Sequence, residues 1–213
     1  MQRPIDLQTL FLVLLVMLGL GVAHCLQSSR PVGRSVSGSQ AIVDILEGGG
    51  SPETVFGKAD LTIVIFVDYQ CPACRSGHLA LDRAIQKDGN IRLVYKDWPL
   101  LGDRSMRAAQ VALAAGSMGI YPKVHGRLMA ARSLDEASLR GAIIGAGGDW
   151  DRLQAQLTAD RQGIADQLAA NRSDALALGL QGTPAYLVGS ILVEGAATEE
   201  EFLRVFRQAR AAR

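Results

Sequence analysis

Charge of one sign is missing from this sequence. Its 22 Lys and Arg stand against 21 Asp and Glu, a net charge of +1. That balance leaves no electrostatic footprint for nucleic acid, and 5% aromatic residues leaves no base-stacking platform. Cysteine is scarce as well. Three cysteines make one pair and a remainder, Cys25, which excludes a disulfide scaffold but not a single working pair. There is no internal repeat. Long hydrophobic runs are absent apart from Leu10 to Ala23, which follows Arg3 and contains no charge. Its fourteen residues suit the apolar core of a signal peptide and fall short of the about 20 that span a membrane. Gly21-Val22-Ala23 offers small residues for cleavage, while extension to Leu26 would make an uncleaved anchor. Residues 1–26 are therefore expected to be a signal peptide or an N-terminal membrane anchor, with residues 10–26 as the anchoring segment. Cys25 is a poor lipidation site, because bulky His24 precedes it. Either way the rest of the chain is exported, into a compartment where a disulfide persists.

What is present is concentrated in one stretch. Leu61 to Val67 is apolar and rich in β-branched residues, as a strand buried on both faces requires. Asp68-Tyr69-Gln70 follows, then Cys71-Pro72-Ala73-Cys74 and a segment whose Cys74, Leu81 and Ile85 share one helical face, with Ala84 beside it. Pro72 is tolerated in a first helical turn because it has no N–H to leave unpaired. Cys71 thus lies at a helix N-terminus, where free N–H groups and the helix dipole favour an anion. A thiolate there is a good attacking or leaving group, and Cys74 is one turn away to close a disulfide. A Cys-x-x-Cys behind a strand points to a thioredoxin-like redox centre. The same spacing is half a zinc site. Zinc would need two further ligands, and the candidates Cys25, His24, His78 and His125 form no second pair.

The remaining chain reads in order. Residues 27–50 are expected to be a tether, Ser-, Gly- and Arg-rich at first and closed by Gly48-Gly49-Gly50-Ser51-Pro52. Within it Ala41 to Leu46 is a short apolar piece, strand or helix. Residues 51–213 make one domain. Ile91 to Tyr95 is a second strand, parallel to the first through the Cys helix, and Lys96 to Leu100 leaves the sheet. Residues 103–178 contain only helices: Met106 to Ala115, one opened by Tyr121-Pro122, one with a Ser133/Glu136 capping box, one capped by Asp149, and Ile164 to Leu178 stopped by Gly179. Ala185 to Val188 and Ile191 to Glu194 form a hairpin over Gly189-Ser190, of type II′ because Gly comes first. Thr198 and Glu201 box the start of a last helix. Without its helical insertion the order is βαβ–ββα. The expected fold is α/β and thioredoxin-like, with the insertion at about 103–178, between the second and third core strands.

Two motifs carry a resemblance to a family. Phe66-x-Asp68-Tyr69-x-Cys71-Pro72-x-Cys74 after a hydrophobic strand resembles the DsbA-type thiol:disulfide oxidoreductases of the bacterial envelope, and Gly182-Thr183-Pro184-Ala185-Tyr186 resembles their cis-proline loop. The resemblance spans about residues 50 to 210. It implies a periplasmic enzyme without metal or organic cofactor, in which Cys71 exchanges disulfides with exported cysteine-containing proteins and Cys74 resolves the mixed disulfide. A membrane redox partner would reset the pair. Pro184 would be cis and face the cysteines, and Thr183 would offer its backbone to substrate. Pro72 and Ala73 would set the local field with neither charge nor ring donor. His78, four residues after Cys74, is a candidate to tune it. Many thioredoxin-like proteins carry a buried carboxylate six residues before the attacking cysteine. Here that position is Ile65, and Asp68 and Lys96 are the nearest ionisable candidates, Asp68 being equally a turn residue.

An oxidase is favoured over an isomerase or reductase. Thr183 resembles isomerases as much as oxidases, but the roughly fifteen Ser-, Gly- and Arg-rich residues that open the tether, 27–40, are too few for an isomerase's N-terminal dimerisation domain. Two other classes stay open: a copper-handling protein using Cys71, Cys74 and His78, and a non-catalytic substrate holder.

Overall fold

The computed structural model describes residues 11–19 and 32–212. Residues 11–19 form helix α1, with exposed side chains. It belongs to a unit, Met1–Val32, separate from the unit Gly33–Arg213 treated below. Among the described residues no helix is long and apolar enough to cross a membrane. The rest of the expected signal or anchor segment, with His24 and Cys25, and tether residues 27–31 lie outside the described residues.

The sheet is built on β3 (Leu61–Val67), in which every residue but Thr62 is buried. Such a run needs cover on both faces, and it has neighbours on both edges. On one side β3 pairs in parallel with β4 (Ile91–Asp97), Leu61 opposite Ile91 and Val67 opposite Asp97. On the other it pairs antiparallel with β5 (Ala185–Val188), which turns into β6 (Ile191–Glu194). In that turn Gly189 has φ +54° and Ser190 has no positive φ, which excludes type I′ and leaves the expected type II′. Two short strands extend the edges, β1 (Arg34–Ser35) on β6 and β2 (Glu53–Val55) on β4, giving the order β1-β6-β5-β3-β4-β2.

Helices cover both faces. α2 (Gln40–Glu47) places Ile42 and Ile45 in a cluster with Val64, Phe66, Val94 and Trp98 of the sheet region and with Ala175 and Leu178 at the end of α8 (Arg161–Ala177). The other face carries α3 (Pro72–Asp88), which buries Cys74, Ala80, Leu81, Ala84 and Ile85, and α9 (Glu199–Ala211), whose Phe202 ring lies 4.8 Å from that of Tyr186. Gly89, at φ +79°, stops α3. Between β4 and β5 come α4 (Asp103–Gly116), α5 (Tyr121–Ala130), α6 (Glu136–Gly145), α7 (Trp150–Ala159) and α8.

Two expectations are corrected. The tether drawn over 27–50 is too long, since β1 and α2 belong to the folded unit: Ile42 and Ile45 bury an apolar face that a solvated linker would expose. Ser133 does not box a helix. Asp135 is the N-cap of α6, its carboxylate accepting from Ser138 N at 2.8 Å, and Ser133 Oγ bonds Asp135 instead. Thr198 and Glu201 do form their box, and Asp149 does cap α7.

Helix α3 approaches the sheet closely because Gly77 has no side chain. A Cβ there would overlap Tyr186 Oη, a buried hydroxyl with no hydrogen-bond partner among the described residues. Alanine normally favours a helix over glycine by about 1 kcal/mol. Gly77→Ala should nevertheless destabilise the protein by about 1–3 kcal/mol through overpacking. Tyr186→Phe should recover part of the loss in the double variant. Urea unfolding of the four proteins checks this, and additive effects would show that the two positions do not collide.

Candidate active site

β3 delivers the chain to the end of the sheet, and Asp68 folds it back. Its carboxylate is 1% exposed and accepts four hydrogen bonds: Gln70 N at 2.7 Å and Ser105 Oγ at 2.6 Å on Oδ1, Leu100 N at 2.7 Å and Leu101 N at 3.0 Å on Oδ2. Cys71 N donates to Asp68 O at 3.1 Å, and Cys71 becomes the N-cap of α3. Its Sγ accepts from Cys74 N at 3.4 Å, the capping role an oxygen usually fills. The same Sγ donates to Thr183 O at 3.3 Å. The Thr183–Pro184 peptide bond is cis, and this loop closes over Cys71 just before β5 begins. Pro72 occupies N1, exposed, with Ala73 half-buried behind it.

The two thiols are free and unequal. Cys74 is 1% exposed, and burial pushes its thiol up to about 12, with backbone hydrogen bonding at Asp68 offsetting only part. Cys71 is 8% exposed and has a hydrogen-bond donor from the helix end directed at its sulfur. The pair can therefore divide the work of exchange, with one sulfur reachable and one held protonated inside.

The side chains of the other ionisable sequence candidates are engaged elsewhere. Lys96 alternates with Val94 and Trp98 on the α8 face of β4, and its Nζ pairs with Asp174 of α8 at 2.9 Å. Period-two alternation turns it to the sheet face opposite α3. His78 spends its i,i+4 contact in the other direction, on Asp82 at 3.3 Å, and its ring lies 5.1 Å from that of His125. Burial holds its pKa below the ordinary value, against the pull of Asp82. Asp68 is an acceptor saturated by its four donors. Among the described residues no group of three or more His, Cys, Asp or Glu could hold a metal, so Cys71, Cys74 and His78 do not assemble as one.

A buried polar cluster was not foreseen. Asp97, wholly buried, receives Tyr121 Oη at 3.0 Å on both carboxylate oxygens. Tyr69 Oη lies 3.4 Å from Tyr121 Oη and 3.1 Å from His125 Nδ1. Burial is the main force that pushes the Asp97 carboxyl up to about 7, partly offset by the two tyrosines. Burial, reinforced by His78, holds His125 well below the ordinary histidine value. The signal that could have found Asp97 is its parity with Leu93 and Tyr95 on β4, and Tyr121 and His125 are one turn apart on α5.

The family profile described as Thioredoxin matches residues 53–207. This chain belongs to the thioredoxin family. Among solved thioredoxin-like structures it is similar to a thioredoxin-like oxidoreductase from Silicibacter pomeroyi, at 30% identity and a TM-score of 0.75 over 83% of this chain and 100% of that one. The catalytic domain of Proteus mirabilis ScsC matches at 26% identity and 0.71, over 81% and 98%. A periplasmic thioredoxin-like protein from Salmonella enterica matches at 26% and 0.70, over 82% and 99%. Among curated proteins, the Na(+)/H(+) antiporter NhaA 1 of Salinispora arenicola is 32% identical over 134 residues, which is 62% of this thioredoxin-family chain but 20% of the antiporter. The chain thus spans about a fifth of that relative.

Two measurements follow from this geometry. Within the Cys71–Cys74 pair of the reduced protein, iodoacetamide at pH 8 should modify Cys71 alone, since Cys74 is held protonated; peptide mapping that finds Cys74 alkylated first reverses the order of the two thiols. Asp97 concerns stability. A carboxyl at about 7 when folded and about 3.9 when unfolded binds its proton more tightly in the folded state. Its support for folding is complete below about pH 4 and is lost as pH rises through 7, a penalty on the order of 4 kcal/mol at most. Buried His78 and His125 act in the opposite sense, losing stability as pH falls below about 6.5. The stability of Asp97→Asn relative to the unmodified protein cancels the histidines and should rise between pH 4 and 8. A difference flat in pH, by urea unfolding, would mean that Asp97 ionises freely.

Proposed function

We propose that this protein is an extracytoplasmic thiol–disulfide oxidoreductase that transfers its Cys71–Cys74 disulfide to exported proteins. The observation that carries the reading is the position of Cys71 Sγ, at the N-terminus of α3 under the Cys74 N–H and against the Thr183 carbonyl, with Cys74 buried behind it. In the oxidising direction a substrate thiolate attacks Cys71 Sγ and breaks the Cys71–Cys74 bond, and Cys74 leaves and takes up a proton. A second substrate thiolate then attacks the substrate sulfur of the mixed disulfide and expels Cys71 as a thiolate. Two electrons have passed from the substrate dithiol to the protein, and the substrate holds a disulfide. Thr183 and the cis Pro184 supply the backbone edge on which the substrate strand lies. No metal or organic cofactor takes part. A membrane redox partner would remove the two electrons.

Export is supported by the Leu10 to Ala23 run and by the periplasmic description of the Salmonella neighbour. Ion transport is not carried over, because the antiporter match covers a fifth of that protein. Direction is supported by the field at the pair. An oxidant is one whose reduced form is stabilised. The helix end directs the Cys74 N–H at Cys71 Sγ, and buried Ile65, six residues before Cys71, brings no charge. Pro72-Ala73 adds no histidine or other donor.

The couple should therefore lie between about −270 mV, the thioredoxin value, and about −120 mV, that of DsbA. Equilibration with glutathione measures it, and refolding of reduced ribonuclease compared with reduction of insulin assigns the direction. Cys71→Ser should abolish both activities, and Cys74→Ser should accumulate mixed disulfides. A potential at or below the thioredoxin value, with insulin reduction the faster reaction, makes the protein a reductase.

A further inference from the structure

Beside the cysteine pair the surface opens into a cleft of about 340 Å³, lined by Gln70, Pro72, Ser133 and three arginines, Arg75, Arg104 and Arg132. The arginines come from three places in the chain: the first turn of α3, the first turn of α4, and the connection from α5 to α6. Pro72, the residue after Cys71 and the first of α3, forms part of the wall, so the cleft lies beside the helix end that Cys71 caps.

Its charge is unbalanced. Arg75 is half-buried and gives its hydrogen bonds to neutral acceptors, Tyr69 O at 2.9 and 3.1 Å and Ala131 O. That fixes the guanidinium without cancelling its charge. Arg104 and Arg132 are exposed, and neither makes a hydrogen bond or an ion pair among the described residues. Two of the acids nearby are already engaged. Asp135, close enough to Arg104 to be stabilised by it, caps Ser138 N and accepts from Ser133 Oγ. Asp68 beneath Gln70 is saturated by its four donors. Asp103 opens α4 next to Arg104 in the chain. Folding does not explain two unpaired arginines at this spot, and a chain with a net charge of +1 does not explain three together.

We propose that this cleft selects protein substrates whose reactive cysteine is flanked by Asp or Glu, a reading that rests on the thiol–disulfide exchange set out above. In the mixed disulfide the substrate cysteine is bonded to Cys71 Sγ. An extended chain advances at most about 3.3–3.6 Å per residue, so side chains one to three residues away reach the cleft. Guanidinium forks bind carboxylates in a bidentate manner.

The test uses the oxidised full chain and two dithiol peptides that differ only in flanks, three glutamates or three lysines around Cys-Gly-Gly-Cys. Each transfers two electrons to the Cys71–Cys74 disulfide and leaves with its own disulfide, which is quantified after acid quench. The glutamate peptide should react roughly 10-fold faster at low salt. The ratio should fall toward one at about 1 M NaCl, where the Debye length is about 3 Å. The Arg104→Glu/Arg132→Glu variant should invert the ratio, and Arg104→Lys/Arg132→Lys should keep it. Because each ratio is taken within one protein, it does not depend on that variant's intrinsic reactivity. Equal rates for the two peptides, or a preference that survives charge reversal, overturns the cleft alone, provided that uncharged dithiothreitol reduces the same protein. If dithiothreitol finds no Cys71–Cys74 disulfide to reduce, the exchange reading fails and the proposal with it.

Discussion

Asp68 holds the site together. A carboxylate is an acceptor with two oxygens and about four lone-pair directions, and here all four are used, by donors from three segments of the chain. Gln70 N belongs to the turn before Cys71, Leu100 N and Leu101 N to the segment leaving β4, and Ser105 Oγ to the first turn of α4. The Asp68 carboxylate and Ser105 are buried, and a buried polar group left unsatisfied costs about 1–3 kcal/mol. Gln70 adds a second tie through its side chain, donating to Leu101 O at 2.7 Å and Ser105 Oγ at 3.0 Å. The turn that presents Cys71 is thereby fixed to the start of the insertion, not only to its own strand.

A second anchor works from the other side. Arg75 joins Tyr69 O, in the turn before α3, to Ala131 O at the end of α5. Together with Asp68 it clamps the first turn of α3 between the sheet and the helical insertion. The pairing of β3 with both β4 and β5 then brings the Thr183–Pro184 loop over Cys71, since β3 ends where β5 begins, with Phe66 opposite Ala185. Two features remote in sequence, by more than 100 residues, meet through sheet register.

Much of this was legible in the residues, for local reasons. β3, the Cys helix and the hairpin each carry a pattern of their own: a continuous apolar run, helical spacing with Pro72 at its start, and Gly189 first in a two-residue loop. The edge strands carry none. β1 is two residues and β2 three, too short for any periodicity, and they exist because β6 and β4 had open edges. Lys96 and Asp97 show the sharper difficulty. They are neighbours in a strand, so a one-residue change of parity exchanges the sheet faces to which they point. Composition could not decide it; the apolar partners Val94 and Trp98 do. His78 had a candidate one turn away on either side, Cys74 or Asp82, and only the fold chose between them. Ser133 and Asp135 were rival caps, and the carboxylate took the helix.

The buried acid shows what the fold did with a missing residue. Ile65 stands where a carboxylate often lies beneath the cysteine pair, and its neighbour across the parallel pair is Tyr95. Two residues beyond Tyr95 on β4, on the same face, Asp97 supplies a buried carboxyl. An isolated buried carboxylate is costly, so it is met by the Tyr121 hydroxyl, with Tyr69 and His125 completing the cluster and the Tyr95 ring packed 4.8 Å from that of His125. A carboxyl pushed up to about 7 exchanges its proton near neutral pH. Its link to the redox pair runs through Tyr69, which hydrogen-bonds within this cluster at its hydroxyl and receives Arg75 at its carbonyl, two residues before Cys71. Burial is the main reason the Cys74 thiol is pushed up to about 12, while Cys71 keeps the larger share of open surface and caps the helix.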